Sequence, residues 1–197
     1  MIVRMHRRTF LRATLCALPA VVIAGRSFAE APVGGSSDQA GAAVAPAPVA
    51  RSLTFTNTHT LETMSAVFSR GGAYETSGLA LFDHVLRDHR TGDSHAMDPG
   101  LYDILYELAE RAGAEPHFEI ISGFRSPETN KTLRKASKGV AKNSLHMQGK
   151  AIDLRLHGVD TARLHALALE MKRGGVGYYP ASDFIHVDTG RVRSWSG

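Results

Sequence analysis

The residues with chemistry to offer gather in one stretch of the 197-residue chain, Ser144-Leu145-His146-Met147-Gln148-Gly149-Lys150-Ala151-Ile152-Asp153, and in a histidine well downstream, His186. Strand alternation relates them. If Ala151 to Leu156 is a strand, Ile152, Leu154 and Leu156 share one face, and Asp153 and Arg155 share the other. If Phe184 to Asp188 is another, Ile185 and Val187 face inward, and His186 lies on the side of Phe184 and Asp188. Should these strands be neighbours, Asp153 and His186 project from the same side of a sheet, and His146 completes the set from the loop entering the first strand. Gly149 lets that loop bend closely past the site. Two imidazoles and one carboxylate leave a fourth tetrahedral position for water, the arrangement of catalytic rather than structural zinc. One such ion would lower the pKa of its water toward ~7, giving a nucleophile for an amide carbonyl. Taken singly, each of these residues reads as an ordinary hydrogen-bonded surface group; the combination points to a metal.

The elements that must hold these side chains follow from periodicity. Leu53-Thr54-Phe55-Thr56 alternates as a strand, Thr58-His59-Thr60 reads as a turn, and Leu61 to Phe68 returns as a second strand before Gly71-Gly72. Leu79, Phe82, Val85 and Leu86 mark one helical face. Asp98-Pro99 opens a second helix with Leu101, Ile104, Leu105 and Leu108 inward and Gly113 as its stop. Phe118 to Ser122 is a short strand that delivers Gly123-Phe124-Arg125-Ser126. A helix runs from Ser126-Pro127 to about Lys135, and another from Asp160 to about Arg173 with Leu164, Leu167 and Met171 inward. Val176–Tyr179 and Phe184–Asp188 close as strands, with Val192–Trp195 a further one. These elements predict an α+β fold, helices packed on a mostly antiparallel sheet.

The first 29 residues stand apart. Arg4, Arg7, Arg8 and Arg12 precede an apolar run from Ala13 to Gly25, and Ser27-Phe28-Ala29 supplies the small residues of a signal-peptidase site. That run is short for a membrane span, so no stable anchor is expected after cleavage. His6-Arg7-Arg8-Thr9-Phe10-Leu11-Arg12 resembles the twin-arginine signal, which implies the twin-arginine export machinery as a partner and the periplasm as the destination. Residues 30–50, rich in Ala, Pro, Gly and Ser, read as a flexible linker, and residues 51–197 as the catalytic domain.

Charge and cysteine content narrow the function. The formal charge is +4, but residues 1–29 hold five arginines and no carboxylate, leaving 18 basic against 19 acidic groups. The excess positive charge belongs to the leader and gives no argument for nucleic acid. Cys16, the single cysteine, lies in the leader too, so any metal in the remainder must be held by histidines and carboxylates.

Ser-x-His-x-x-Gly-x-Ala-x-Asp followed by a histidine on a strand resembles the zinc peptidases that include D-alanyl-D-alanine carboxypeptidases, VanX-type dipeptidases and the hedgehog domain. Ser122-Gly123-Phe124-Arg125-Ser126 is similar to the segment ahead of the metal motif in that group. Ser122–Asn130, Gly139–Arg155 and Gly174–Trp195 resemble, more narrowly, the twin-arginine-exported, YcbK-like (MepK-type) murein endopeptidases. The resemblance spans essentially all of residues 51–197. It implies a hedgehog/D-Ala-D-Ala-peptidase-like fold, zinc on His146, Asp153 and His186, and hydrolysis of peptide bonds in peptidoglycan cross-links or stem peptides. It places Arg125 over the scissile carbonyl or a nearby substrate carboxylate, where a fixed positive charge steadies a developing oxyanion. Ser144 either bonds substrate or caps its loop.

For the general base, relatives often carry Glu three residues before the final histidine. Asp183 holds that position here, one methylene shorter. Asp188, with the better parity to His186, is its rival, and either could instead orient that histidine. A D-alanyl carboxypeptidase and a non-catalytic, zinc-stabilised wall-binding module are the alternatives. A nuclease or phosphatase is disfavoured by the near-neutral charge and by the lack of a carboxylate-rich two-metal cluster. His59, His84, His89, His95, His117, His157 and His165 lack partners at metal spacing. Lys131, Arg134, Lys135, Lys138 and Lys142 form a basic flank. Tyr178, Tyr179 and Trp195 line a cleft or pack in the core.

Overall fold

The computed structural model describes residues 48–137 and 139–197. The leader with Cys16, residues 30–47 of the proposed linker and Lys138 of the basic flank lie outside the described residues. Ala50, the last residue assigned to that linker, already opens the first strand.

The chain runs β1 (Ala50–Asn57), β2 (Thr63–Arg70), β3 (Ala73–Tyr74), α1 (Thr76–Val85), α2 (Gly100–Ala112), β4 (His117–Ser122), α3 (Pro127–Ala136), β5 (Ala151–Leu156), α4 (Thr161–Met171), β6 (Gly175–Tyr179), β7 (Phe184–Asp188) and β8 (Arg193–Ser196). Short 3-10 turns at Leu145–Gln148 and Pro180–Ser182 precede β5 and β7. Among the described residues all eight strands form one sheet, in the order β3-β2-β1-β4-β5-β7-β6-β8. Its neighbours run antiparallel except at β1–β4 and β6–β8, so the α+β, mostly antiparallel expectation holds.

Alternation sorts the two faces of this sheet. Leu53, Phe55, Phe118, Ile120, Ile152, Leu154, Leu156, Ile185 and Val187 are buried and pack with Phe82, Leu101, Leu105, Leu108 and Leu164 from the helices. Each large side chain so buried contributes about 1.5–3 kcal/mol of transfer free energy. Phe55 is the hub of an aromatic cluster, with Phe82, Tyr102 and Phe118 ring centroids 4.6, 6.1 and 6.4 Å away. Polar residues fill the opposite face: Thr54 meets Ser65 at 2.8 Å and Thr56 meets Thr63 at 2.9 Å across β1–β2. Asp153 and His186 emerge from this polar face, so these two residues and the core occupy opposite sides of the same strands.

Local signals place most boundaries within two residues. Asp98 caps α2 as expected, its Oδ1 accepting the Gly100 amide at 2.9 Å, although helical bonding starts at Gly100 rather than Pro99. Gly113 closes α2 in the left-handed conformation at φ 65°. Ser126 caps α3 by accepting from the Thr129 amide at 3.1 Å, and Asp160 caps α4 by accepting from Arg163 at 3.0 Å. Among the described residues no helix is long and apolar enough to cross a membrane.

Candidate metal centre

β5 and β7 are antiparallel neighbours with Asp153 directly opposite His186. That register turns the alternation argument into contact. Asp153 Oδ1 lies 2.8 Å from His186 Nδ1 and 3.2 Å from His146 Nε2, and the two ring nitrogens are 3.2 Å apart. All three residues are buried, and no other group of this kind occurs among the described residues.

His146 arrives from the 3-10 turn before β5. Gly149 ends that turn in the left-handed region, φ 66°, and a Cβ there would come within 2.4 Å of the Ala96 carbonyl oxygen. The close approach that requires this glycine is therefore to the 95–98 backbone, where Asp98 N donates to Gly149 O at 2.8 Å.

The outward nitrogens of both rings settle their tautomers. His146 Nδ1 sits 2.7 Å from the Gly123 carbonyl, which can only accept, so Nδ1 carries the hydrogen and Nε2 presents its lone pair. His186 Nε2 sits 3.0 Å from Asp188 Oδ2. Asp188 is fully buried: burial works against its charge, but bonds from His186, Arg193 and the Gly190 and Gly175 amides hold its carboxyl well below the usual range. It too can only accept, which leaves His186 Nδ1 facing inward. Three inward atoms thus converge with their other valences taken, a donor set suited to a cation once His186 gives up its inward proton.

Electrostatics agree. Burial opposes the charge on Asp153, yet His146 and His186 outweigh it and hold the carboxyl well below its ordinary value. Burial likewise pushes His186 down, and hydrogen bonds to Asp153 and Asp188 overcome it and raise the pKa to about 9. Without a metal, His186 is therefore protonated at neutral pH and supplies the positive charge the site lacks. A metal must displace that proton, so apparent metal affinity is expected to rise about tenfold per pH unit from pH ~6 and to level off above about 9. For the metal-free fold the sign is opposite. The contribution of His186 is complete below 6.5 and is lost as pH climbs through about 9.

Arg125 and Asp188 flank the centre in different roles. The Arg125 guanidinium, with only 12% of its side chain exposed, lies 3.4 Å from Asp153 Oδ2 and 3.3 Å from Ser122 Oγ, and its Nε has no protein partner. Burial pushes its pKa down, partly offset by Asp153, but a guanidinium stays charged. Asp188 instead accepts from His186, from Arg193 Nη2 at 2.6 Å and from the Gly175 and Gly190 amides at 3.0 and 2.8 Å. With every lone pair occupied, it orients His186 rather than shuttling protons. Asp188→Asn is expected to weaken metal binding about 10–100-fold, measured by chelator competition.

Asp183, the favoured base by position, is not brought to the centre. It sits in a left-handed turn, φ 51°, ahead of β7, where strand alternation does not apply. Its carboxylate accepts from Thr161 and lies 3.4 Å from Arg155 Nε, and Arg155 points from β5 one strand repeat, about 7 Å, beyond Asp153. Asp183 opens on a second depression with Glu119 and His157. Asp183→Asn is accordingly expected to leave turnover within about threefold of wild type, because no reacting group is within hydrogen-bond reach.

The metal-type residues floor a cleft of about 460 Å³. Ser137, Gly139–Ala141, Asn143 and Ser144 line it together with Tyr179, Phe184, Arg193 and Trp195. Ser144 makes no side-chain cap to its turn, which favours the substrate-facing reading of that residue. Tyr179 and Trp195 line the cleft, while Tyr178 stacks on His165 at 4.6 Å, away from it. Among the described residues lining the cleft, Asp153 is the only carboxylate. The sequence offered no sign of Arg193: its value comes from a parallel β6–β8 pairing that sets it against Asp188.

A family model described as "Peptidoglycan L,D-endopeptidase MepK" matches residues 45–195. A probable peptidoglycan L,D-endopeptidase MepK of Haemophilus influenzae is 44% identical over 156 residues, covering 79% of this chain and 84% of that protein. The peptidoglycan L,D-endopeptidase MepK of Escherichia coli K12 is 42% identical over 163 residues, covering 79% of this chain and 90% of its own length. No solved structure matches the chain significantly.

Proposed function

Because the chain belongs to the family described as peptidoglycan L,D-endopeptidase MepK, we propose that it hydrolyses peptide bonds in peptidoglycan cross-links or stem peptides at the His146–Asp153–His186 centre. The observation that carries this reading is the convergence of three metal-ligand-type atoms, one each from His146, Asp153 and His186, in an open cleft. One zinc ion is the cofactor that suits two imidazoles and a carboxylate without any cysteine. When bound, it supplies a Lewis acid and water of lowered pKa.

The chain's own residues orient the site and polarise the substrate. Gly123 O and Asp188 hold the two imidazoles in the required tautomers. Arg125, fixed beside Asp153 through Nη2 and lining the cleft, donates to the carbonyl oxygen as negative charge develops there. Ser144, which also lines the cleft, bonds the substrate. The leader and its paired arginines support export by the twin-arginine route to the periplasm, where the wall peptide is the partner.

Purified sacculi test the reading. Incubation with zinc-loaded protein is expected to convert cross-linked muropeptide dimers to monomers, read by product mass. Release of free alanine alone would make it a carboxypeptidase, and unchanged digests with a metal-stabilised protein would make it a binding module.

A further inference from the structure

With Asp183 and Asp188 both committed elsewhere, the cleft wall holds one side chain whose hydrogen is aimed by geometry and not taken up. Tyr179 ends β6, on the face and strand of Gly177, which lies opposite His186. Gly177 has no side chain because Trp195 occupies the space: a Cβ there would come within 2.6 Å of the indole. The indole lies 5.1 Å from the His186 ring, centroid to centroid, and its Nε1 donates to Tyr179 Oη at 2.9 Å. An indole N–H can only donate, so the phenol oxygen is the acceptor in this pair. Its own hydrogen must point elsewhere, and no acceptor for it is found among the described residues.

The ring cannot swing away. Phe184 stacks on it at 4.6 Å with the planes 17° apart, and the Gly197 backbone packs so closely that a Cβ would come within 2.4 Å of the ring. Trp195 is itself braced by the Arg193 guanidinium 5.0 Å over its face, and Arg193 is tied to buried Asp188. The same Asp188 that orients His186 therefore also anchors the support of Tyr179.

We propose that Tyr179 is a catalytic hydrogen-bond donor, its hydroxyl held by Trp195 so that it donates to the oxygen of the reacting carbonyl as charge builds there. No proton changes owner in this role; Tyr179 and Arg125, which both line the cleft, serve the same oxygen. The inference rests on the hydrolytic reading above and deepens it.

Tyr179→Phe keeps the stack on Phe184 and removes only the hydroxyl. With a purified cross-linked muropeptide dimer as substrate and zinc-loaded protein, kcat is expected to fall about 10²-fold while KM stays within about twofold. Zinc content and thermal stability should match wild type. Trp195→Phe, which keeps a ring against Gly177 but has no N–H, should lower kcat in the same direction without changing KM. A Tyr179→Phe kcat within about threefold of wild type, or a loss confined to KM, overturns the proposal. If wild type itself leaves the dimer intact, the hydrolytic reading has failed; if only Tyr179→Phe is unaffected, the assignment of Tyr179 has failed alone.

Discussion

Replacing His146 by alanine is expected to abolish hydrolysis of cross-linked muropeptides, by at least about 10³-fold in kcat/KM, since the ion supplies several kcal/mol of transition-state stabilisation. The loss should appear together with loss of the metal, because two ligands remain where three converged. Folding should survive: His146 sits in the 3-10 turn before β5 and is no part of the hydrophobic core around Phe55, Phe82 and Phe118. Circular dichroism and metal content on the same sample separate these effects. A His146→Ala protein that keeps its metal and its activity would remove His146 from the centre.

Arg125→Ala carries the second large effect and differs in kind. It leaves all three metal-type residues in place, so zinc content should be nearly unchanged. Turnover should fall about 10²–10³-fold, the loss typical of one oxyanion donor. Arg125→Lys should recover only part of this, since an ammonium restores charge but not the planar guanidinium whose Nη2 bonds both Asp153 and Ser122 while leaving Nη1 for substrate. The diagnostic pattern is a fall in kcat with metal retained. Loss of metal along with rate would instead make Arg125 a support for Asp153.

The contrast between these variants follows from what could be read from the chain. Asp153 and His186 were legible because strand alternation is strict: with β5 beside β7, both had to project from one face. Asp188 was legible for the same reason, two residues from His186 on the same side, although alternation alone could not say whether it met water or a ring nitrogen. Asp183 was not, because its placement depends on a left-handed turn and on the pull of Arg155, neither of which leaves a periodic trace. Helix starts at Asp98, Ser126 and Asp160 were carried by local capping chemistry. The parallel pairings β1–β4 and β6–β8 bring together segments with no mutual signature in sequence. With the second pairing came the stacking of Trp195 over Gly177, and with that the aim of the Tyr179 hydroxyl. Side chains whose direction is set by backbone periodicity could be predicted; those set by long-range packing had to be seen.

The most direct measurement is X-ray absorption at the zinc edge on fully active protein, with metal stoichiometry from the same preparation. One zinc per chain, two imidazole ligands, oxygen from a carboxylate and from solvent, and no sulfur is the predicted result. Full activity without bound metal, or a spectrum lacking imidazole scattering, would contradict it.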